Sequence, residues 1–180
     1  MRLRSTLIAL LVAAATPLHA DVYLTPYLGA AFGGRTDDSK IAYGGSVAFA
    51  SENGVLGIGM ELGHVPDFFG TTGFGNNNVT SLMGNLMVLT PGRTRLYGSA
   101  GLGLMKTRVE DVDGFFRVDS NDFGMSLGGG VMFFPGDVIG LRADIRYFRN
   151  LTDPEPDDEF DVDLGGLGFW QATGGITFRF

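Results

Sequence analysis

Large apolar residues alternate with small or polar residues along most of the chain after residue 20. In one such segment, Leu56, Ile58 and Met60 are separated by single glycines. A period of two residues is typical of β-strands, because successive side chains point to opposite faces of a sheet. Eight segments have about the 9–11 residues that a tilted strand needs to cross a bilayer. They cover residues 23–32, 41–50, 55–65, 79–89, 95–105, 122–134, 138–148 and 169–180.

The two faces of these segments differ in kind. One face is large and apolar, whereas the other is small, glycine-rich or charged. In a soluble barrel the apolar face would pack inward, and glycine, alanine and serine would form a surface with few charges. In a membrane barrel the large residues contact lipid, and the small and charged residues fill the lumen. The pattern therefore favours an all-β, eight-stranded antiparallel up-and-down transmembrane β-barrel.

The connections between the segments alternate between long and short without exception. Outer-membrane barrels combine short periplasmic turns with longer external loops. The alternation therefore assigns the long links to the outside of the cell. The long links are 33–40, 66–78, 106–121 and 149–168, and the short links are 51–54, 90–94 and 135–137.

Aromatic residues occur near the ends of the segments and in the second long link. In that link Phe68, Phe69 and Phe74 are expected to be exposed, either as a contact surface or resting on the outer interface. The aromatic residues of the segments are expected to form girdles at the two membrane interfaces. These are Tyr43, Phe49, Tyr97, Phe123, Phe133, Phe134, Tyr147, Phe148, Phe169, Trp170, Phe178 and Phe180.

Residues 1–20 have the layout of a secretory signal peptide: two early arginines, a short apolar run and small residues before Ala20. The apolar run is shorter than the roughly 20 residues of a membrane-spanning helix. We expect cleavage after Ala20, which leaves residues 21–180 as the barrel domain. The chain has no cysteine and a net charge of −7 at pH 7. Disulfides therefore cannot stabilise it, and a nucleic-acid partner is not expected.

The C-terminal segment resembles the assembly signal of bacterial outer-membrane proteins. Thr173, Gly175, Phe178 and Phe180 occupy its polar, glycine and late aromatic positions. This resemblance implies recognition by the outer-membrane barrel assembly machinery. The whole chain resembles the small eight-stranded barrels of the OmpA/OmpX type, which implies a bacterial outer-membrane location in contact with lipid and lipopolysaccharide. No peptidoglycan-binding domain follows the barrel, so a cell-wall anchoring role is not expected.

Four charged residues fall on the inward face, namely Glu61, Arg142, Asp144 and Arg146. Charges inside a membrane are costly unless they pair and face an interior. We expect Glu61 to reach Arg142 or Arg146 across the barrel. The network is either a structural plug or a gate in a narrow ion path. Barrels of this size are just wide enough for side chains to fill, which favours the plug.

The fourth long link is acidic, and Asp157, Asp158, Asp161 and Asp163 are hard oxygen ligands of the kind that Ca²⁺ or Mg²⁺ prefers. Their spacing does not match an EF-hand, and a solvated acidic loop explains them without a metal, so no metal or other cofactor is predicted.

Catalysis is not predicted either. His64 is the one histidine after residue 20, and no serine adjoins it as in a hydrolase arrangement. The sequence therefore predicts a structural or surface-interaction role through the external loops, with an unidentified extracellular ligand. A small low-conductance pore is the second interpretation, and a lipid A-modifying enzyme is the third.

Overall fold

The computed structural model is a closed barrel of eight antiparallel strands joined in chain order, and the last strand pairs with the first. Closure pairs both edges of the sheet, as a sheet in hydrocarbon requires. The predicted eight-stranded up-and-down barrel is confirmed.

The structure describes residues 20–34, 36, 38–51, 54–70, 77–110, 117–151 and 167–180. Within this part of the chain, no helix is long and apolar enough to span a membrane. The strands are β1 (Asp21–Phe32), β2 (Lys40–Ala50), β3 (Leu56–Pro66), β4 (Asn77–Leu89), β5 (Thr94–Glu110), β6 (Arg117–Phe133), β7 (Ile139–Asn150) and β8 (Gly168–Arg179).

The outer face of the barrel is a belt of large apolar side chains. In β3, Ile58 and Met60 are 60% and 61% exposed, whereas the neighbouring Glu61 is 4% exposed. Leu86 in β4 and Leu127 in β6 are likewise exposed. A belt of this kind suits lipid rather than water. The large residues therefore face the membrane and the small and charged residues face the lumen, as the sequence predicted.

The links at one end of the barrel are short turns, and this end also holds the start of β1 and the end of β8. Gly54 and Gly92 lie in these turns with φ of 66° and 112°, a left-handed conformation that glycine adopts without strain. Short turns mark the periplasmic side of an outer-membrane barrel, so the other end faces outward. The short links are 51–55, 90–93 and 134–138, and the external links are 33–39, 67–76, 111–116 and 151–167.

The third external link is shorter than the sequence indicated. β5 and β6 have 17 residues each, and their pairing continues past Met105↔Asp122 to Glu110↔Arg117. The prediction that 106–121 forms a loop is wrong, because only 111–116 separate the two strands. A hairpin that extends beyond the hydrocarbon needs no lipid-facing row of large apolar residues, and residues 106–110 and 117–121 lack the alternation that reveals strands. The added pairs extend the hairpin by about 17 Å at roughly 3.4 Å per residue.

Spin labels can test the assignment of the two faces, because the chain contains no cysteine of its own. We expect a label at position 127 to be accessible to oxygen and shielded from a water-soluble relaxation agent. A label at position 126, which is 3% exposed as serine, points into the lumen and should be protected from both agents. Electron paramagnetic resonance in lipid vesicles measures both accessibilities. If the label at position 127 is accessible to water and the label at position 126 to hydrocarbon, the assignment of the two faces is reversed.

Candidate functional site

Three layers of buried side chains fill the lumen. An apolar cluster lies near the external ends of the strands, and a second lies near the periplasmic ends. A layer of charged and polar groups built around Glu61, Arg142, Asp144 and Arg146 lies between them, and we call it the charge layer. It is the candidate functional site, because it contains the buried charges that the sequence singled out.

Asp144 is the centre of the charge layer. Its Oδ2 accepts hydrogen bonds from the hydroxyl of Tyr97 at 2.6 Å, from Arg142 Nη2 at 2.6 Å and from Arg146 Nη2 at 3.1 Å. Its Oδ1 accepts one from the hydroxyl of Thr173 at 2.9 Å. One carboxylate from β7 therefore joins side chains of β5, β7 and β8. Several charge-assisted bonds of this kind offset the cost of burying the carboxylate.

Glu61 completes the charge layer from the β3 side of the barrel. Its Oε2 lies 2.5 Å from Arg146 Nη1, and its Oε1 accepts a bond from the hydroxyl of Tyr27 at 3.3 Å. Arg142 reaches across in the same direction, where its Nη1 donates to Ser46 Oγ at 2.9 Å. Two carboxylates thus face two guanidinium groups, so the layer has no net charge and links β7 with β2 and β3.

Glycines in the wall make room for these long side chains. Gly128 pairs with Arg146, and Gly130 pairs with Asp144. A Cβ added at Gly128 would lie 2.7 Å from Arg146 Cγ, and one at Gly130 would lie 2.5 Å from Asp144 Cβ. Real Cβ atoms essentially never approach so closely. The run of glycines in β6 therefore provides the space in which the charged residues of β7 lie.

The charge layer leaves little open space. A cavity of about 10 Å³ borders Ser46, Glu61, Asn85, Arg142 and Arg146. This is close to the lower limit of roughly 10–15 Å³ that one water molecule needs. The side chains that line this cavity therefore leave room for about one water molecule.

The external cluster is built on stacked aromatic rings. Phe148 and Phe169 stack with centroids 5.1 Å apart, and Phe68 packs edge-on against Phe169 at 4.9 Å. Phe68 comes from the second external link, where the chain turns at Asp67 with a φ of 50°. Asn77 holds this turn, since its side chain accepts a bond from the Phe69 N–H and donates one to the Gly70 carbonyl.

The expectation that Phe68 is exposed is wrong, because it is 0% exposed inside the external cluster. Phe69 is half-buried against the same cluster, and Phe74 lies outside the described residues. The prediction of aromatic girdles is also wrong in part. Four of the aromatic residues assigned to girdles are buried in the lumen, because they fall on the inward register of their strands. These are Tyr97, Phe134, Phe148 and Phe169.

The periplasmic cluster ends in a second polar group. Tyr23 packs against Phe134, with ring centroids 5.9 Å apart. Arg95 Nη1 donates to the Tyr23 hydroxyl at 2.5 Å, and Arg95 Nη2 lies 3.4 Å from Asp21 Oδ2. Arg179 pairs with the other oxygen of Asp21 at 3.5 Å. The sequence reasoning missed this group, although the alternation in β1, β5 and β8 places all four polar residues on the inward face.

The residues of the C-terminal segment fall on both faces of β8. Thr173 points inward to Asp144, and Gly175 pairs with Tyr27 and Arg142. Phe180 is 72% exposed, and its N–H donates to the Val22 carbonyl at 3.0 Å. The acidic candidates Asp157, Asp158, Asp161 and Asp163 lie outside the described residues. Within the described residues, no group of three or more His, Cys, Asp or Glu side chains could hold a metal ion.

The sequence also missed the neutral partners of the charge layer. Ser46, Tyr97 and Thr173 hold its charged groups, yet a hydroxyl on the inward face has no pattern that separates it from ordinary filling residues. The signal that could have found them is the register of neighbouring strands. Once the register of β7 and β8 is known, Thr173 lies directly opposite Asp144, so a hydrogen bond between their side chains can be expected.

Comparison with known families identifies the barrel. A model of the outer membrane protein beta-barrel domain matches residues 5–170. The chain belongs to this family. Membership places it in the bacterial outer membrane, and the predicted resemblance to small eight-stranded outer-membrane barrels is confirmed. A search of curated proteins finds no match.

Solved structures of several outer-membrane barrels are similar to this chain. The N-terminal barrel domain of Pseudomonas aeruginosa OprF superposes with a TM-score of 0.61 at 17% identity, covering 89% of this chain and 97% of that one. Neisserial surface protein A gives 0.62 at 12% identity, with coverage of 89% and 97%. Yersinia pestis Ail, an attachment invasion locus protein bound to the heparin analogue sucrose octasulfate, gives 0.59 at 16% identity, with coverage of 89% and 98%. At these low sequence identities, the structural similarity shows that the chains share a fold.

Proposed function

We propose that this chain is a sealed outer-membrane barrel with a structural or surface-interaction role. The observation that carries the proposal is the filled lumen. The stacked pair Phe148 and Phe169, the bonds around Asp144 and the contact of Tyr23 with Phe134 close it at three levels. A barrel that is closed in this way presents its outer surface and its external links to its surroundings.

The external end supports a role at the cell surface. The periplasmic turns are short, whereas the external side carries four longer links and the extended hairpin of β5 and β6. The longest link, 151–167, is strongly acidic, and it includes Asp157, Asp158, Asp161 and Asp163. Carboxylates so placed favour divalent cations, which can bridge them to lipopolysaccharide phosphates, or a basic extracellular partner.

Export and assembly are part of the same proposal. Residues 1–20 act as a signal peptide that is removed after Ala20, so the barrel starts at Asp21. The segment with Thr173, Gly175, Phe178 and Phe180 is the contact for the barrel assembly machinery. The pairing of β8 with β1 supports this role, because that seam is the last one needed to close the sheet.

A low-conductance pore is the second candidate, and electrical recording separates it from a sealed barrel. We expect no steady conductance from the parent barrel in a planar bilayer. Glu61→Gln should also stay silent, because Arg146 keeps Asp144 at 3.1 Å and the two apolar clusters are unchanged. Heat-modifiable gel migration checks that each sample is folded. Stable single-channel steps from the parent, altered by Glu61→Gln, would establish a gate instead of a plug.

A lipid A-modifying enzyme is the third candidate, and the surroundings of His64 do not favour it. Its Nδ1 lies 2.9 Å from the Thr80 hydroxyl, and its ring packs against Tyr43. A catalytic histidine of the Ser-His-acid type needs a carboxylate on the nitrogen that Thr80 occupies. Unchanged lipid A masses in cells that produce the protein would agree with a non-enzymatic role.

A further inference from the structure

A row of polar side chains crosses the outer face of the barrel near its external end. Tyr43 of β2 pairs with His64 of β3, His64 pairs with Thr80 of β4, and Thr80 pairs with Lys106 of β5. All four lie on the register that faces lipid elsewhere in these strands. We call them the outer row.

The outer row lies directly above an apolar row. Leu62, Leu82 and Leu104, two residues closer to the periplasm, pair with one another in the same strands and are 55%, 43% and 55% exposed. The surface thus changes from leucine to polar groups within one step of the pleat. Such a step marks the boundary between hydrocarbon and headgroups, and its position at the external end assigns it to the outer leaflet.

The polar groups of the outer row are arranged to meet an anion. Thr80 Oγ1 lies 2.9 Å from His64 Nδ1, and the Tyr43 ring supports the imidazole with centroids 5.3 Å apart. When Thr80 donates to Nδ1, the ring proton is on Nε2, which can donate to a ligand. Lys106 adds an ammonium group to the row, and its backbone lies two strand spacings, about 10 Å, from that of His64. Within the described part of the chain, Lys106 has no ion-pair partner.

A recess opens beside these groups. Its volume is about 390 Å³, and it is lined by the outer-row residues Tyr43 and His64, by Leu62 and by glycines of β2 and β3. Gly45 leaves this part of the lipid-facing surface without a side chain. Behind it, Tyr27 closes the wall, and its hydroxyl oxygen lies 3.2 Å from the Leu62 carbonyl oxygen. The volume lies within the range of roughly 300–1,000 Å³ that is typical of small-ligand sites.

We infer that the outer row and the recess form a binding site for a phosphorylated, acylated glycolipid of the outer leaflet. One acyl chain lies in the recess against Leu62, and the phosphorylated sugar lies across His64 and Lys106. Apolar lining below and donors above match the two parts of such a lipid, and the ammonium complements its phosphate. The inference goes beyond the proposed surface role. It depends on the outer-membrane location and not on whether the lumen is sealed.

The headgroup contact can be tested with purified bisphosphorylated lipid A added to the detergent-solubilised barrel. Native mass spectrometry counts the bound lipid. We expect Lys106→Gln to weaken binding about fivefold, since a basic residue near an anionic surface contributes on the order of 1 kcal/mol. Arg93→Gln is the matched control, because Arg93 is an exposed cation in a periplasmic turn. With dephosphorylated lipid A, the difference between Lys106→Gln and the parent should disappear.

The recess needs a test of its own. Gly45→Leu should fill it and lower lipid A binding, and the substitution is tolerable, because a Cβ there meets only a backbone oxygen at 3.7 Å. Gly84→Leu is the matched control, since Gly84 is a lipid-facing glycine of β4 outside the recess with an equivalent contact at 3.6 Å. Heat-modifiable migration confirms that both variants are folded.

Three results would overturn the assignment. Equal losses in Lys106→Gln and Arg93→Gln would show only a general charge effect, and equal behaviour of Gly45→Leu and Gly84→Leu would exclude the recess. Equally tight binding of phosphatidylglycerol by the parent would assign the site to anionic lipids in general. A conducting lumen would contradict the sealed barrel while leaving these binding results unchanged, so the two proposals fail independently.

Discussion

Asp144→Asn is expected to lower the unfolding free energy of the barrel by about 3–5 kcal/mol, the usual effect of removing one partner from a buried ion pair. Asp144 accepts bonds from Tyr97, Arg142, Arg146 and Thr173. Asparagine keeps the shape of the side chain but removes the charge, which leaves two buried guanidinium groups facing Glu61 alone. Denaturant unfolding in lipid vesicles measures the loss, and Trp170, the single tryptophan, reports it by fluorescence.

Asp137→Asn is the control for this prediction, because Asp137 is exposed in a periplasmic turn and should change stability by less than about 0.5 kcal/mol. A double variant separates charge from packing. Combining Asp144→Asn with Arg142→Gln restores a neutral layer, and we expect part of the lost stability to return. If Asp144→Asn is as stable as Asp137→Asn, Asp144 does not hold the layer together.

The charge layer also specifies the register of β7. Arg142, Asp144 and Arg146 alternate with Ala143 and Ile145, so a slip of one residue would move all three charges onto the lipid face. Charges facing hydrocarbon are costly, with insertion scales giving about 2.5–3.5 kcal/mol for each at the membrane centre. The same residues that fill the lumen therefore exclude the alternative pairings of β7 with β6 and β8.

Most of the architecture could be predicted from the sequence, because a lipid-facing strand has a strong signal. Its apolar face must be continuous, as in Leu56, Ile58 and Met60 of β3. This alternating pattern is present only in the part of each strand that contacts lipid. In the extended β5–β6 hairpin, large apolar residues do not alternate with small ones, so the strands past Met105 and before Asp122 could not be told from a loop.

The contents of the lumen were harder to predict than its wall. Alternation placed Glu61 and Arg146 on the inward face but could not show which pairs meet across the barrel, because that depends on the relative heights of β3 and β7. Phe68 illustrates a second limit. Its burial depends on the turn at Asp67 and on the side chain of Asn77, and neither follows from a pattern of apolar residues.

Phe169→Ala is the second substitution with a large expected effect, a loss of about 3–5 kcal/mol of unfolding free energy. Phe169 is 1% exposed and contacts both Phe148 and Phe68. Its removal leaves a cavity that the surrounding rings cannot fill without moving the base of the second external link. Vesicle unfolding followed by Trp170 fluorescence measures the loss.

The matched control is Phe133→Ala, since Phe133 is 47% exposed on the lipid face. Lipid tails are as apolar as the side chain they replace and can fill the gap, so the loss there should be much smaller. Similar losses for Phe169→Ala and Phe133→Ala would mean that the external cluster is not packed as a core.

Phe169→Ala should nevertheless leave the barrel without conductance, although it opens the external cluster. The contacts of Arg142 with Ser46 and of Arg146 with Glu61 still cross the lumen below it, and Tyr23 still packs on Phe134 at the periplasmic end. We expect the three layers to close the lumen in series, so removing one of them should lower stability without creating a path. Single-channel steps from Phe169→Ala alone would show that the external cluster is the only barrier and that the charge layer already admits ions.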